Sequence, residues 1–358
     1  MSLLTSVDAR PSQVDDFRVL LDEALYDFLR ARQDVAPELS AELRGLVLAG
    51  GKRIRPTFAW WGWRAAGGSP PADAVVRAMV ALELLQCCAL VHDDVMDRSA
   101  TRRGRPSVHE SFAAQHRRER WAASARQYGD SAAILAGDLA LAWADDALVT
   151  AGLPSDVLSR AWGPWQAMRT EMIMGQHLDL LAVARREESL EAAVRVAALK
   201  TAAYTVERPL HLGAALAGAD ADVVDCLRAY GHDIGVAFQL RDDLMGVFGD
   251  ASVTGKPVGE DLREGKRTPL MAIAFSRAQG LPAAQRLLRR CLESSSVSDR
   301  TVDEVRALLV ELGAVAAVEE HIEKLLASGL AALDRAVIDD EARRELVRLA
   351  NRAVQRTT

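Results

Sequence analysis

Aromatic residues are scarce in this chain, at 5% of 358 positions, and alternating apolar–polar runs are hard to find. Both absences argue against a sheet, because strands favour aromatic and β-branched residues and alternate with a period of two. Cysteine is rare too: Cys87, Cys88, Cys226 and Cys291 do not fall in metal-ligand spacing. The pattern offers no zinc module, and the adjacent Cys87-Cys88 pair reads as small core filling. Positive charge is not in excess: the formal net charge of -6 gives no reason to expect a nucleic-acid partner. No uncharged run reaches membrane-spanning length, and the N-terminus has no basic-then-apolar leader pattern. A cytoplasmic protein without stable membrane insertion is expected.

Alanine, leucine, valine and arginine dominate, with 49% hydrophobic and 26% charged residues, an ordinary globular balance. An all-α fold follows, expected as a single large helical bundle spanning residues 1–358 as one domain, since no long linker or short repeat divides the chain. The first helix is predicted from Ser12, with Ser12 and Asp15 as a capping pair. A second helical region runs from Pro37 to Trp63, interrupted at Gly50-Gly51, and Gly67-Gly68-Ser69-Pro70-Pro71 is a break. The next helix runs to Asp97 and is followed by a basic, irregular stretch from Arg98 to Pro106. Residues Gln115 to Arg126 read as an exposed charged excursion. Helical patterns resume over Ser131–Thr150, Ser155–Ala184, Leu190–Ala217 (with Pro209 kinking or dividing it) and Ala221–Phe248. A loop from Gly249 to Gly265 precedes three to five further amphipathic helices.

Chemistry concentrates where apolar helices end in acids. The run Leu90-Val91-His92-Asp93-Asp94-Val95-Met96-Asp97 closes a helix that is greasy on nearly every side, and Asp93 and Asp97 share one face of it. Two carboxylates about 4 Å apart repel by roughly 1 kcal/mol in water and roughly 4 kcal/mol at an effective dielectric near 20. A hard divalent cation reverses that cost; a frayed, solvated helix end avoids it, and the stretch alone leaves both readings open. Acidic pairs are common elsewhere, at Asp15-Asp16, Asp145-Asp146 and Asp339-Asp340, but Asp242-Asp243 again sits near the end of a long apolar helix. Cations alternate with these clusters: Lys52, Arg53 and Arg55 after Gly50-Gly51, Arg102-Arg103, Lys200 inside an apolar helix, then Lys256 and Lys266. Two such acidic helix ends brought together would make a pocket able to hold several Mg2+ ions, and phosphoryl chemistry asks for cations from the protein as well as from metal.

The chain resembles the trans-isoprenyl diphosphate synthases, and is most similar to actinobacterial-type geranylgeranyl diphosphate synthases. The resemblance is carried by Gly50-Gly51-Lys52-Arg53-Ile54-Arg55-Pro56, Asp93-Asp94-Val95-Met96-Asp97, Arg102-Arg103-Gly104-Arg105-Pro106 and Leu135-Ala136-Gly137-Asp138. It continues through Gly175-Gln176-His177-Leu178-Asp179, Lys200-Thr201 with Tyr204, Phe238-Gln239-Leu240-Arg241-Asp242-Asp243, Phe248-Gly249-Asp250, Gly255-Lys256 and Gly265-Lys266. It implies the isoprenoid synthase bundle around a central cavity, a homodimer, and head-to-tail condensation of isopentenyl diphosphate with an allylic diphosphate. Asp93, Asp97 and Asp242 match the aspartates that hold Mg2+, three ions in this family, on the allylic diphosphate, with Asp94 and Asp243 as their neighbours. Arg102, Lys200 and Lys256 match its cationic grip. Lys52, Arg55, Arg103 and Gln86 match the isopentenyl diphosphate site, and Gln176 and Lys266 belong to motifs counted with substrate binding. Thr201 and Gln239 match residues whose oxygens face the developing allylic cation. His92 beside these acids reads as a helix-end histidine rather than a base.

Two departures from the pattern stand out. Gly246 replaces the third aspartate of the second cluster, and Asp250 lies too far along to stand in for it. The positions four and five before Asp93 are the small Ala89 and Cys88, which implies a cavity floor deeper than a C15 chain and a C20 product, with Leu85 and then Leu82 next in line to limit growth. A farnesyl or longer-chain synthase is the alternative. A class I terpene cyclase would not need Lys52, Arg55 and Arg103, and a non-catalytic partner subunit would tend to lose the first acidic cluster.

Overall fold

The computed structural model describes residues 14–32, 36–68, 72–249, 259–294 and 296–355. The predicted cap at Ser12, together with Asp250 and Lys256, lies outside these residues. The chain is all-α. Helix α1 (Val14–Arg30) buries Phe17, Leu21, Leu25 and Leu29 at four-residue spacing, so one stripe faces the bundle. Helix α2 (Pro37–Leu48) starts on a proline, whose missing N–H costs nothing in a first turn. Gly50 and Gly51 then take positive φ and end the run, and α3 (Ile54–Ala65) follows with Phe58, Trp60, Trp61 and Trp63 all buried. The few aromatics are thus concentrated where one helix is enclosed by neighbours.

Helix α4 (Ala72–Asp97) is the central member. It is long and apolar enough to cross a membrane, yet 78% of its most apolar window is buried in the bundle, the environment of a core helix. It ends in a short hairpin, β1 (Thr101–Arg102) against β2 (Arg105–Pro106), in place of the irregular basic stretch the sequence predicts. Arg103 and Gly104 both have positive φ, which is the requirement of a type I′ two-residue hairpin turn.

The expected excursion over Gln115–Arg126 is half helix. Helix α5 (Val108–Glu119) runs into it and buries Val108, Phe112, Ala113 and His116, with the His116 ring 5.5 Å from that of Tyr128. Its arginines point outward, and only the turn before α6 (Ala125–Val149) is irregular; Ser124 caps α6 by accepting from the Gln127 N–H.

Helix α7 (Ser155–Arg185) is followed by α8 (Leu190–Val196), a π-helical stretch over Ala197–Glu207, and α9 (Arg208–Ala217). Pro209 does not divide this run; it falls in the first turn after the π stretch, where its missing donor is tolerated. Helix α10 (Ala221–Phe248) is capped by Asp220, which accepts from the Val223 N–H at 3.0 Å. It packs against the π stretch, α9 and the later helices. These are α11 (Glu260–Arg263), α12 (Pro269–Arg277), α13 (Pro282–Glu293), α14 (Asp299–Glu311), α15 (Ala314–Ala332) and α16 (Asp340–Val354). One apolar core joins helices from α1 to α10 and takes in Ala342, Leu346 and Ala350 of α16; a second, built on Leu240, Leu244, Leu270, Phe275 and Leu309, lies beside it, and Leu326 packs against both.

Candidate active site

The two acidic helix ends meet across one cleft. Asp93 of α4 and Asp242 and Asp243 of α10 line a polar cavity of about 390 Å3 with Asp179, Lys200, Thr201, Gln239 and Lys266. A second cavity of about 730 Å3 shares Lys52, Asp93, Lys200, Thr201, Gln239 and Asp242 with the first and extends among Cys88, Ala89, Leu141, Met172 and Phe238. A charged mouth therefore opens into an apolar chamber, and Thr201 and Gln239 stand at the junction.

Lys200 is the cationic centre of the mouth. Its Nζ donates to Asp93 Oδ1 at 3.2 Å and to Asp179 Oδ2 at 2.6 Å. Burial alone would lower Lys200, but the two carboxylates outweigh it and hold the ammonium above its ordinary value. The π stretch presents Lys200, Thr201 and Tyr204; widened helical turns of this kind recur at functional sites. Gly175 lets α7 come this close, because a Cβ there would overlap the Lys200 backbone. Asp179 lies four residues on from Gly175 and so reaches the lysine. Its place four residues beyond the glycine, on the same helix face, is the sequence signal that marks it.

The aspartates of the first cluster are not equivalent. Burial would raise Asp93, yet Lys200, Lys266 and Arg102 bring it below its ordinary value. Asp97 is pushed up to about 6 by burial and by the charge of Asp93, against Lys266 and Lys200. Asp94 turns away from the cleft: it is 2% exposed and accepts from both Nε (2.9 Å) and Nη2 of Arg102. Burial raises Asp94 even so. Arg102 lines neither cavity and comes no nearer Asp93 than 3.9 Å, so its guanidinium is committed to Asp94 in this structure rather than to the cleft.

In the second cluster Asp243 is 3% exposed, its Oδ1 accepting from Gln239 Nε2 at 2.7 Å and its Oδ2 without a hydrogen bond. Burial and the nearby Asp261 push it well above the usual carboxylate range. Lys266 donates to Asp261 Oδ1 at 3.0 Å and pairs with Glu264 at 2.7 Å. These acids raise it well above its ordinary value despite burial.

The basic motif splits into two roles. Lys52, Arg55 and Gln86 line the larger cavity; Arg55 stacks on the Tyr204 ring at 3.9 Å and donates to Thr205 Oγ1, while the Tyr204 hydroxyl donates to Gln86 at 2.5 Å. Arg103 donates to the Gly50 carbonyl, which ties the β1–β2 turn to the glycine loop; it lines neither of these cavities. Arg53 is buried between Glu83 (2.5 Å) and Asp22 (3.0 Å) and serves the core. Gln176 lines the chamber with its Nε2 3.5 Å from Met96 Sδ.

Cys88 and Ala89 line the chamber as expected, but Leu85 does not. Leu85 is fully buried in the main core, and the chamber turns from α4 toward Leu141 of α6 and Met172 and Ile173 of α7. His92 borders the same chamber: its Nε2–H donates to the Ile134 carbonyl at 3.1 Å, and Cys88 Sγ lies 3.7 Å from its Nδ1. Among the described residues no three acidic, histidine or cysteine side chains converge to hold an ion by themselves. Separate carboxylates on two walls fit Mg2+, which takes one or two of them and fills its shell with phosphate oxygens and water.

Residues 36–309 match the polyprenyl synthetase family. A (2E,6E)-farnesyl diphosphate synthase of Mycobacterium tuberculosis is 34% identical over 313 residues, 86% of this chain and 80% of its own length. A geranylgeranyl diphosphate synthase of the same organism is 34% identical over 289 residues, 80% of this chain and 76% of its own. The geranylgeranyl pyrophosphate synthase of Corynebacterium glutamicum, crystallised with isoprenyl diphosphate and magnesium, superposes with a TM-score of 0.93 at 44% identity, covering 96% of this chain and 100% of that one. The products named differ among these relatives, whereas the family match over residues 36–309 and the shared helical fold do not depend on product, and on that ground this chain belongs to the polyprenyl synthetase family, the trans-prenyl synthases.

Proposed function

We propose that this chain is a Mg2+-dependent prenyltransferase that joins isopentenyl diphosphate head to tail (1'-4) to an allylic diphosphate and makes mainly geranylgeranyl diphosphate (C20). The observation that carries the reading is the junction of the two cavities: acids and Lys200 at the mouth, an apolar chamber of about 730 Å3 behind it, and the small Cys88 and Ala89 among the residues of its α4 wall. That volume lies within the usual range for sites that enclose a small ligand.

In this reading Asp93, Asp97 and Asp242 hold three Mg2+ ions, Asp94 and Asp243 support their neighbours, and Lys200 and Lys266 face the allylic diphosphate. The ions supply fixed positive charge to the departing diphosphate when bound. Lys256 and Arg102 belong to the same grip, Arg102 by exchanging Asp94 for the substrate. Lys52, Arg55, Gln86 and Arg103 receive isopentenyl diphosphate, and Gln176 borders the growing chain. The allylic C1–O bond breaks toward the diphosphate, and the Thr201 and Gln239 oxygens face the cation left at C1. The isopentenyl double bond then attacks C1, and a C2 proton leaves to the departed diphosphate. The apolar chamber keeps water from the cation. His92 has no part in this transfer, being turned to Ile134.

Residues 1–358 act as one cytoplasmic domain, working as a homodimer. The second reading is a C15 product, favoured by the farnesyl synthase among the relatives. Purified protein with Mg2+, isopentenyl diphosphate and dimethylallyl, geranyl or farnesyl diphosphate tests both readings. A main C20 diphosphate, lost in EDTA and restored by Mg2+, is expected. Termination at C15 selects the second reading, and hydrocarbons alone or no elongation refute both.

A further inference from the structure

We propose that Asp261 supplies the carboxylate that the second acidic cluster lacks at Gly246, completing the surroundings of the cation held by Asp242. The proposal rests on the metal-diphosphate reading above. A side chain at position 246 would share a helix face with Asp242, one turn away. That space is already filled. A Cβ on Gly246 would overlap Oδ2 and Cγ of Asp261 and stand 3.1 Å from its Oδ1. The carboxyl group therefore reaches this wall from α11 instead of from α10, and glycine at 246 is what makes room for it.

Asp261 is mostly buried and lines the same polar cavity as Asp93, Lys200 and Asp242. Its position is held by Lys266, which donates to Oδ1 at 3.0 Å while also pairing with Glu264. A second observation points to a cation. Asp243 lines the same cavity at 3% exposure, and its Oδ2 is buried with no hydrogen-bond partner. Two carboxylates converging on one wall, one with an unsatisfied oxygen, are costly unless positive charge enters between them. One ammonium, that of Lys266, already serves Asp261 and Glu264. Carboxylates that bridge to a metal through water or hydrogen bonds set its affinity by about tenfold to a hundredfold, which is the effect expected here.

The test is a Mn2+ titration followed by electron paramagnetic resonance at saturating inorganic pyrophosphate, so that the readout does not depend on turnover. Wild-type protein that binds no Mn2+ under these conditions overturns the metal-diphosphate reading itself. With wild-type binding in hand, Asp261→Asn is expected to weaken Mn2+ by about tenfold or more. Gly246→Asp alone collides with Asp261 and should weaken it too, whereas Gly246→Asp combined with Asp261→Gly should recover most of the affinity. Unchanged Mn2+ affinity in Asp261→Asn overturns the proposal. So does a loss confined to pyrophosphate binding in EDTA, because Asp261 would then act only through Lys266. A folded double variant, checked by circular dichroism, that recovers nothing also overturns it.

Discussion

Cys88→Phe tests the depth of the apolar chamber directly. Cys88 is 2% exposed and lines the chamber on the α4 side, with its Sγ 3.7 Å from His92 Nδ1. Phenylalanine adds about five heavy atoms, as many as the carbons of one isoprene unit. At about 0.8 kcal/mol per buried CH2, excluding that unit removes roughly 4 kcal/mol of chain binding, or about three powers of ten in preference. The larger side chain also strains the surrounding helices by about 1–3 kcal/mol, so its melting temperature is expected to fall without loss of the fold. Product analysis by liquid chromatography and mass spectrometry should show C15 in place of C20 diphosphate. Cys88→Ala should leave C20 as the main product. Leu85→Phe is the contrasting case: Leu85 is fully buried and does not border the chamber, so the change should cost stability and leave chain length alone. A folded Cys88→Phe enzyme with an unaltered product would refute the assignment of this wall.

Lys200→Met removes the ammonium shared by Asp93 and Asp179, and a drop in kcat of about a hundredfold or more is expected, because fixed charge at the leaving group is lost. Near-wild-type turnover would remove Lys200 from the transfer. Arg102→Ala leaves the buried Asp94 without its partner, so calorimetry should register a loss of about 3–5 kcal/mol, and an unchanged melting temperature would contradict the pairing. Asp97 gives a pH signature. Its folded value, about 6, lies above its ordinary 3.8, so the folded apo protein keeps a proton the unfolded chain has released. Its contribution to stability is therefore greatest at low pH and falls as pH rises through about 4 to 6. In the role proposed for Asp97 metal binding needs the ionised form, so Mg2+ affinity should weaken as pH drops through about 6. Asp97→Asn should remove that pH dependence, and an Mg2+ affinity flat between about pH 5 and 7.5 in the wild type would contradict it.

Several features of the site were open to sequence reading because each is a conflict within one helix. Acids at Asp93 and Asp242 and a cation at Lys200 sit in apolar helical surroundings, and such groups call for a partner whatever the fold. The helices themselves follow from periodicity, and the breaks at Gly50-Gly51 and residues 67–71 from backbone chemistry. Arg102 shows the limit of this reading. Its place after the acidic cluster marks it as a cation near the site, but only the β1–β2 turn sends its guanidinium to Asp94.

The sequence by itself determined that the chain is all-α and where acids and cations fall in apolar helical surroundings, since spacing along one helix dictates which side chains share a face. Only the tertiary structure decided which faces oppose one another. It paired Asp179 with Lys200 across the close approach at Gly175. It turned the chamber toward Leu141 and Met172 and left Leu85 in the core. It also brought Asp261 into the space beside Gly246, where the second acidic cluster has a glycine in place of a third aspartate. Contacts between distant elements depend on how closely whole helices pack, and no local spacing encodes that distance.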